Sequence, residues 1–403
     1  MTAAGRLSRS VSYVPGYLPQ RALYRGQTLA GHPQFNAAVP SGYDGATTMV
    51  TRIEHPDGRA QRAVFPIKGH AIAVHGGVGF FGGMNHPNML SFDAETLEMI
   101  TLAHPAEEGW IGGGHATFTE DRRHLLVSER KPYASDSGRA ADYFGLITVR
   151  EPESLEVVER FSCAGIAPHE IALMEDGKHI AVANYGSLKP AWRGADGLLP
   201  QMIEPCITIL ELTSGRLVHK IEAPDKRYEV RHLAAASLAR TMAIQARLGA
   251  LGDDDELMAG RDEIYVRDFT AESKTVYLPA PVLRVTNHGG VPGASTVAAD
   301  DPLLMRHGLS IIYDPKFDEF IATFPTAHCF MVFGGKGDLR QIVLTEPVGL
   351  SYPCGVALHP DGLHYVVTGG WRGLYLFRRG DHQLNRDATN HTRFFGHSHI
   401  VVT

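Results

Sequence analysis

Histidine is the residue type with the most chemistry to offer in this chain: it occurs 21 times among 403 residues, often beside one of 43 glycines. Six segments align on one another: GHAIAVHGGVGFFGG from Gly69, GHATFTEDRRHLLVSE from Gly114, PHEIALMEDGKHIAVANYG from Pro168, RHLAAASLARTMAIQAR from Arg231, RHGLSIIYDPKFDEFIATF from Arg306 and PCGVALHPDGLHYVVTGG from Pro353. In that alignment His70, His115, His169, His232 and His307 share one column, and Cys354 fills it in the sixth line. The pair His397 and His399, in GHSHI, echoes the first opening and is a candidate for a seventh position. Imidazole suits iron, copper, zinc and nickel, whereas calcium and magnesium want oxygen donors. Four such groups around one ion leave positions open for a substrate or dioxygen.

The same segments say what must carry those side chains. Each opens with a short apolar stretch, turns through an Asp-Gly-like or charged signal and returns as a second β-rich run, which predicts a hairpin. Further strand-like runs follow in most units, including LITVREPESLEVVERF, ITILELTSGRLVHKIEAP and IYVRDFTAESKTVYLPA, which gives four strands per unit, the composition of a propeller blade. Successive openings lie 45, 54, 63, 75 and 47 residues apart, which leaves room for loop insertions. The longest expected loops are GSLKPAWRGADGLLPQMIEP, LGALGDDDELMAGRDE and TNHGGVPGASTVAADDPLLM. Strand-like TTMVTRIEHPDGRAQRAVFPI before the first opening, together with the C-terminal runs, favours seven blades, with six as the alternative. The expected organisation is an all-β chain with an irregular N-terminal arm at 1–45 and a single β-propeller at 46–403. A residue at the start of each innermost strand sits beside the central axis, so His70, His115, His169 and His232 are expected to converge as metal ligands. Glu170 is placed to orient a ligand from behind, and Arg231 to bind an anionic substrate or superoxide; ordinary ion pairs would suit both equally. Gly-His dipeptides also recur in WD-type propellers as purely structural elements. Here, however, no Trp-Asp pair ends a third strand, and the dipeptide itself is not what repeats.

Composition excludes several other classes. The formal net charge of −6, with no Lys/Arg-rich run, argues against nucleic-acid binding. Four scattered cysteines without a CxxC pair exclude a zinc ribbon and a thioredoxin-type site. The N-terminus lacks the apolar run of a secretion signal and no segment reaches 18 apolar residues, so the expectation is a soluble, cytoplasmic protein. No GxSxG, Walker loop or GxGxxG follows a strand, which leaves hydrolase, NTPase and dinucleotide readings unsupported.

The openings resemble the DUF1513 family of uncharacterised bacterial proteins. The motifs that carry the resemblance are LysGlyHis at 68–70, GlyHis at 114–115, AlaProHisGlu at 167–170 with ValAlaAsn at 182–184, ArgHisLeu at 231–233 and CysGlyValAla at 354–357. The resemblance spans roughly residues 60–375 and is most specific from Pro168 to Gly186. It implies a propeller in which His70, His115, His169 and His232 belong to the family pattern and His307 is particular to this chain. It also implies a link to iron handling and export by a twin-arginine signal, which this chain does not show. The four-histidine ring is similar in outline to that of the carotenoid-cleaving dioxygenases, a likeness of architecture only. The resulting expectation is a metal-dependent oxidoreductase holding Fe(II), or alternatively copper, on four histidines and using dioxygen on a small organic substrate. The alternative is a non-catalytic propeller that binds or delivers metal.

Overall fold

The computed structural model describes residues 9–16, 49–84, 86–132, 140–187, 204–250, 275–370, 372–394 and 399–403. These form seven sheets, six of four strands and one of five, arranged as the blades of a seven-bladed β-propeller. Among the described residues the only helical pieces are short 3-10 turns, and no helix is long and apolar enough to cross a membrane. Blades 2 to 7 each begin with their innermost strand: Gly69–His75, Ile111–Phe118, Pro168–Leu173, Glu229–Ser237, Ser310–Asp314 and Pro353–Leu358.

Both ends of the chain build blade 1. Its strand order runs Val401–Val402, Ser10–Gly16, Met49–His55, Ala60–Val64, so the C-terminal strand is innermost and closes the ring. This settles the blade count at seven. Within the stretch 1–45, Ser10–Gly16 is therefore a ring strand, paired along its whole length with Met49–His55. The reason is legible in SVSYVPG: Val14 and Tyr13 are buried, and only a sheet neighbour on each side satisfies the backbone of such a segment. His397 and most of the insertions at 186–205 and 248–263 lie outside the described residues.

One expected loop is not a loop. TNHGGVPGASTVAADDPLLM contributes to the hairpin Val282–His288 and Val291–Val297, the two outer strands of blade 5. Gly289 and Gly290, at φ +62° and +87°, make the two-residue turn, which needs positive φ at both positions. Thr275–Leu278, expected as an outer blade strand, instead pairs with Arg247–Ala250 where that second strand runs on past the blade.

The core lies between blades, because each strand alternates its side chains between its two neighbouring blades. Ile72, Phe81, Leu90 and Phe92 of blade 2 pack on Tyr13 and Val50 of blade 1, and Val366, Leu374 and Leu376 of blade 7 pack on Val14, Ile53 and Ile400. At this second seam two hydroxyl-imidazole pairs cross or line the joint. Ser10 Oγ lies 2.8 Å from His359 Nε2, Ser12 Oγ lies 3.0 Å from His55 Nε2, and the two rings meet edge-on at 6.0 Å. Burial, and secondarily the neighbouring His359, push the His55 pKa down to about 4. The unfolded chain, with an ordinary imidazole near 6.5, then binds more protons than the folded one between those values. Stability from this residue is present above about pH 6.5 and is lost as pH falls towards 4, by up to about 3 kcal/mol. Urea midpoints measured from pH 7 to 4 should fall less steeply in His55→Gln than in the unaltered protein.

Candidate metal centre

The inner strands of blades 2 to 5 share a local irregularity that places the histidines. Their pairing with the second strand slips between Gly69 and Ala71, between Gly112 and Ala116, between Pro168 and Ile171, and between Val230 and His232. A bulge takes a residue out of the ladder and re-aims its side chain. In blades 2 to 4 the residues left out of the ladder include the histidine of the aligned column, whereas in blade 5 the residue left out is Arg231 and His232, next to the slip, stays paired with Ile244. Blade 7 has the same slip between Pro353 and Val356, around Cys354, whereas the inner strand of blade 6 pairs without one.

The outcome is a cluster of five imidazoles. Candidate ligand atoms of His70, His115, His232 and His399 all lie within 4.8 Å of one another. His169 joins the same group of rings, with centroids 4.4 Å from His115, 4.9 Å from His232 and 5.0 Å from His70. All five are nearly removed from solvent, His70 being the most accessible at 9%. His399 comes from the segment leading into the ring-closing strand; of its echo of the first opening, only this histidine falls among the described residues. His307 lies elsewhere, its Nδ1 3.0 Å from the Tyr352 hydroxyl, in a left-handed conformation just before the blade 6 strand. Cys354 is buried beside the same tyrosine, its thiol 3.3 Å from the Tyr352 carbonyl.

Outer contacts engage Nδ1 of His169 and of His232 and leave Nε2 of each for the cluster. His169 Nδ1 lies 2.5 Å from the Gly113 carbonyl and must donate to it, which leaves the lone pair on Nε2. His232 Nδ1 lies 3.0 Å from Glu170 Oε2, which also accepts the Leu233 amide at 3.1 Å. The other oxygen of Glu170 is 3.6 Å from His115 Nδ1. Glu170 thus stands behind two rings, the position in which a carboxylate sets the tautomer and orientation of a metal-ligating histidine. Arg231 pairs with Glu229 at 2.7 Å, and its guanidinium lies over Tyr185, whose ring in turn sits 4.8 Å from that of His169.

Two features show that the donor set suits an ion. His115 Nε2 is buried without a hydrogen-bond partner, a cost of about 1–3 kcal/mol for a group of this kind. Nε2 of His399 faces Nε2 of His70 at 3.2 Å. Nitrogens at about 2.0–2.1 Å from a shared metal stand roughly 3.3 Å apart in a tetrahedron and roughly 2.9 Å apart at right angles. His115 and His169 are also held in the form a metal needs. Burial, with the neighbouring imidazoles adding to it, drives the pKa of His115 and of His169 well below the ordinary histidine value, so both are neutral at pH 7.

Residues that carry no ligand shape the cluster too. Ser128 Oγ lies within 3.0 Å of the His115 carbonyl and 2.8 Å of the His169 carbonyl, tying blades 3 and 4 together directly behind the site. Gly114 stands at φ +107°, and a Cβ there would meet His70 Cδ2 at 2.9 Å and His169 Cε1 at 3.2 Å. Gly114→Ala should therefore cost about 1–3 kcal/mol in backbone strain and displace His70. Thermal melting and metal titration of that variant should both show a loss.

Fold and site together define a seven-bladed propeller with an axial histidine cluster suited to a metal ion. The chain belongs to the family described as "Protein of unknown function (DUF1513)", whose model matches residues 65–401. No curated protein matches it. Among solved structures it is similar to Kuenenia stuttgartiensis hydrazine synthase, at 12% identity and a TM-score of 0.54, over 85% of this chain and 89% of that one. It is similar also to a putative 6-phosphogluconolactonase from Bacteroides uniformis, at 12% identity and a TM-score of 0.52, over 98% and 99% of the two chains. At that identity the likeness is one of fold.

Proposed function

We propose that this protein is a metal-dependent oxidoreductase that holds one Fe(II), or alternatively copper, on the axial histidines and uses dioxygen on a small organic substrate. The observation that carries the reading is the buried set His70, His115, His232 and His399, with an orphaned His115 nitrogen and two Nε2 atoms face to face. His169 stands beside them as a further donor. A bound ion of this kind supplies electron transfer and a place for dioxygen. The protein's own groups do the rest. Glu170 holds His232 by its Nδ1 proton and steadies His115, Gly113 holds His169, and the buried Ile166, Ala167 and Tyr185 keep bulk water from that side of the cluster. Four or five neutral ligands leave the charge of the ion uncompensated, apart from Glu170 behind them. This favours an anionic substrate or an oxygen-derived anion. Protein loaded anaerobically with one equivalent of Fe(II) should consume oxygen when offered oxidisable organic acids, and His115→Ala should not.

A second reading rests on the fifth imidazole. With His169 ligating as well, few positions remain for a substrate, which suits a protein that binds or delivers the ion. Rapid loss of iron to a chelator, without oxygen consumption, would favour it over the enzyme.

A further inference from the structure

We infer that the C-terminal residues are a metal-responsive latch: His399 reaches the cluster only when the last strand has closed the ring, so ion binding and ring closure drive one another. The inference rests on the metal-binding reading above. Its basis is an asymmetry in how the ligands are held. His70, His115, His169 and His232 sit on or beside bulges of inner strands of six to nine residues, each paired to a second strand of its own blade. His399 precedes a strand of two residues, Val401–Val402, both only partly buried. Among the described residues that strand pairs only through the Tyr13 and Ser12 positions, with Val11 and Thr403 exchanging two backbone hydrogen bonds of 2.9 Å. Ile400 is its one buried apolar anchor, set among Val14, Ile53, Leu374 and Phe394.

So short a pairing belongs to the low-stability end of a fold, where segments open without global unfolding. Opening it withdraws His399 from His70, 3.2 Å away between Nε2 atoms, and from His115 and His232, with ring centroids at 4.5 and 4.9 Å. An ion that binds the closed ring more tightly must shift the equilibrium towards closure, and by reciprocity closure must raise affinity for the ion. The propeller thereby senses its own occupancy through the strand that completes it.

Hydrogen exchange of the full chain, read by mass spectrometry on peptides covering Ser10–Gly16 and Ile400–Thr403, tests this. Zn(II) serves as a redox-silent probe and anaerobic Fe(II) as the second ion. Saturating either ion should slow exchange in these peptides at least about tenfold. His399→Ala should lose that slowing while keeping the melting profile of the ion-free protein. Deleting Val402 and Thr403 removes no ligand, yet should weaken Zn(II) binding by about tenfold or more. If one equivalent of ion binds and exchange at both peptides is unchanged, or if the shortened chain binds Zn(II) with full affinity, the latch is wrong and the metal site stands. If neither ion binds, the metal site itself is wrong and the latch falls with it.

Discussion

Alanine at both His232 and His399 is expected to abolish stoichiometric Fe(II) binding and leave the propeller folded. A four-ligand protein site binds an ion such as zinc with about 10–16 kcal/mol, or roughly 3 kcal/mol per ligand, so two losses correspond to roughly 10⁴-fold in affinity. A single substitution is a weaker test, because His169 lies 4.9 Å from His232 between ring centroids and is positioned to substitute for a missing donor. The pair chosen removes one ligand from blade 5 and one from the ring-closing segment, so that neighbours from one blade cannot compensate for both. The fold should survive, since Glu170 keeps its bond to the Leu233 amide and the interblade cores are untouched. Equilibrium titration followed by elemental analysis, with a circular dichroism melt as control, reads both halves of the expectation.

The largest expected effect on stability lies just behind the site. Glu129 is fully buried and its Oε1 receives Arg150 Nη2 at 2.5 Å and Thr148 Oγ1 at 2.8 Å, while Oε2 accepts the Ala106 amide at 2.7 Å. Arg150 is 2% exposed and also donates to the carbonyls of Leu155 and His104. Removing one member of such a pair leaves a buried charge uncompensated, at about 3–5 kcal/mol. Glu129→Ala should lower the urea unfolding free energy by that amount, whereas Glu129→Met combined with Arg150→Met should cost much less. Glu129 follows Ser128, which holds the carbonyls of His115 and His169. The single variant should for that reason also bind metal more weakly than its effect on global stability alone would require.

Much of this architecture could be read from the residues. The six aligned openings carry the apolar runs and turn signals of hairpins, and seven blades follow once the terminal strands are counted with them. That count favours seven blades over six, and the ring-closing sheet bears it out. The family membership likewise matches the motifs around Pro168 to Gly186. What the residues did not reveal was pairing between distant segments. SVSYVPG looks like part of an irregular arm because its partners, Met49–His55 and Val401–Val402, lie 33 and 385 residues further along. The GlyGly turn at 289–290 read as loop because glycine marks both loops and tight hairpins, and only strand length decides between them. His399 was visible only as an echo of the first opening, since its place at the axis comes from ring closure and not from a blade of its own. The bulges that aim the other histidines have a sequence trace in Gly69 and Gly112–Gly114, but a glycine-rich run alone does not say which residue leaves the ladder.

The proposed function requires one ion among these imidazoles. Crystals of protein loaded with Fe(II), recorded on both sides of the iron absorption edge, test it directly. A single strong anomalous peak is expected, enclosed by His70, His115, His232 and His399 and within about 2.3 Å of at least three of their ring nitrogens. A loaded crystal with no peak at the axis, or with its iron on carboxylates at the surface, would contradict it.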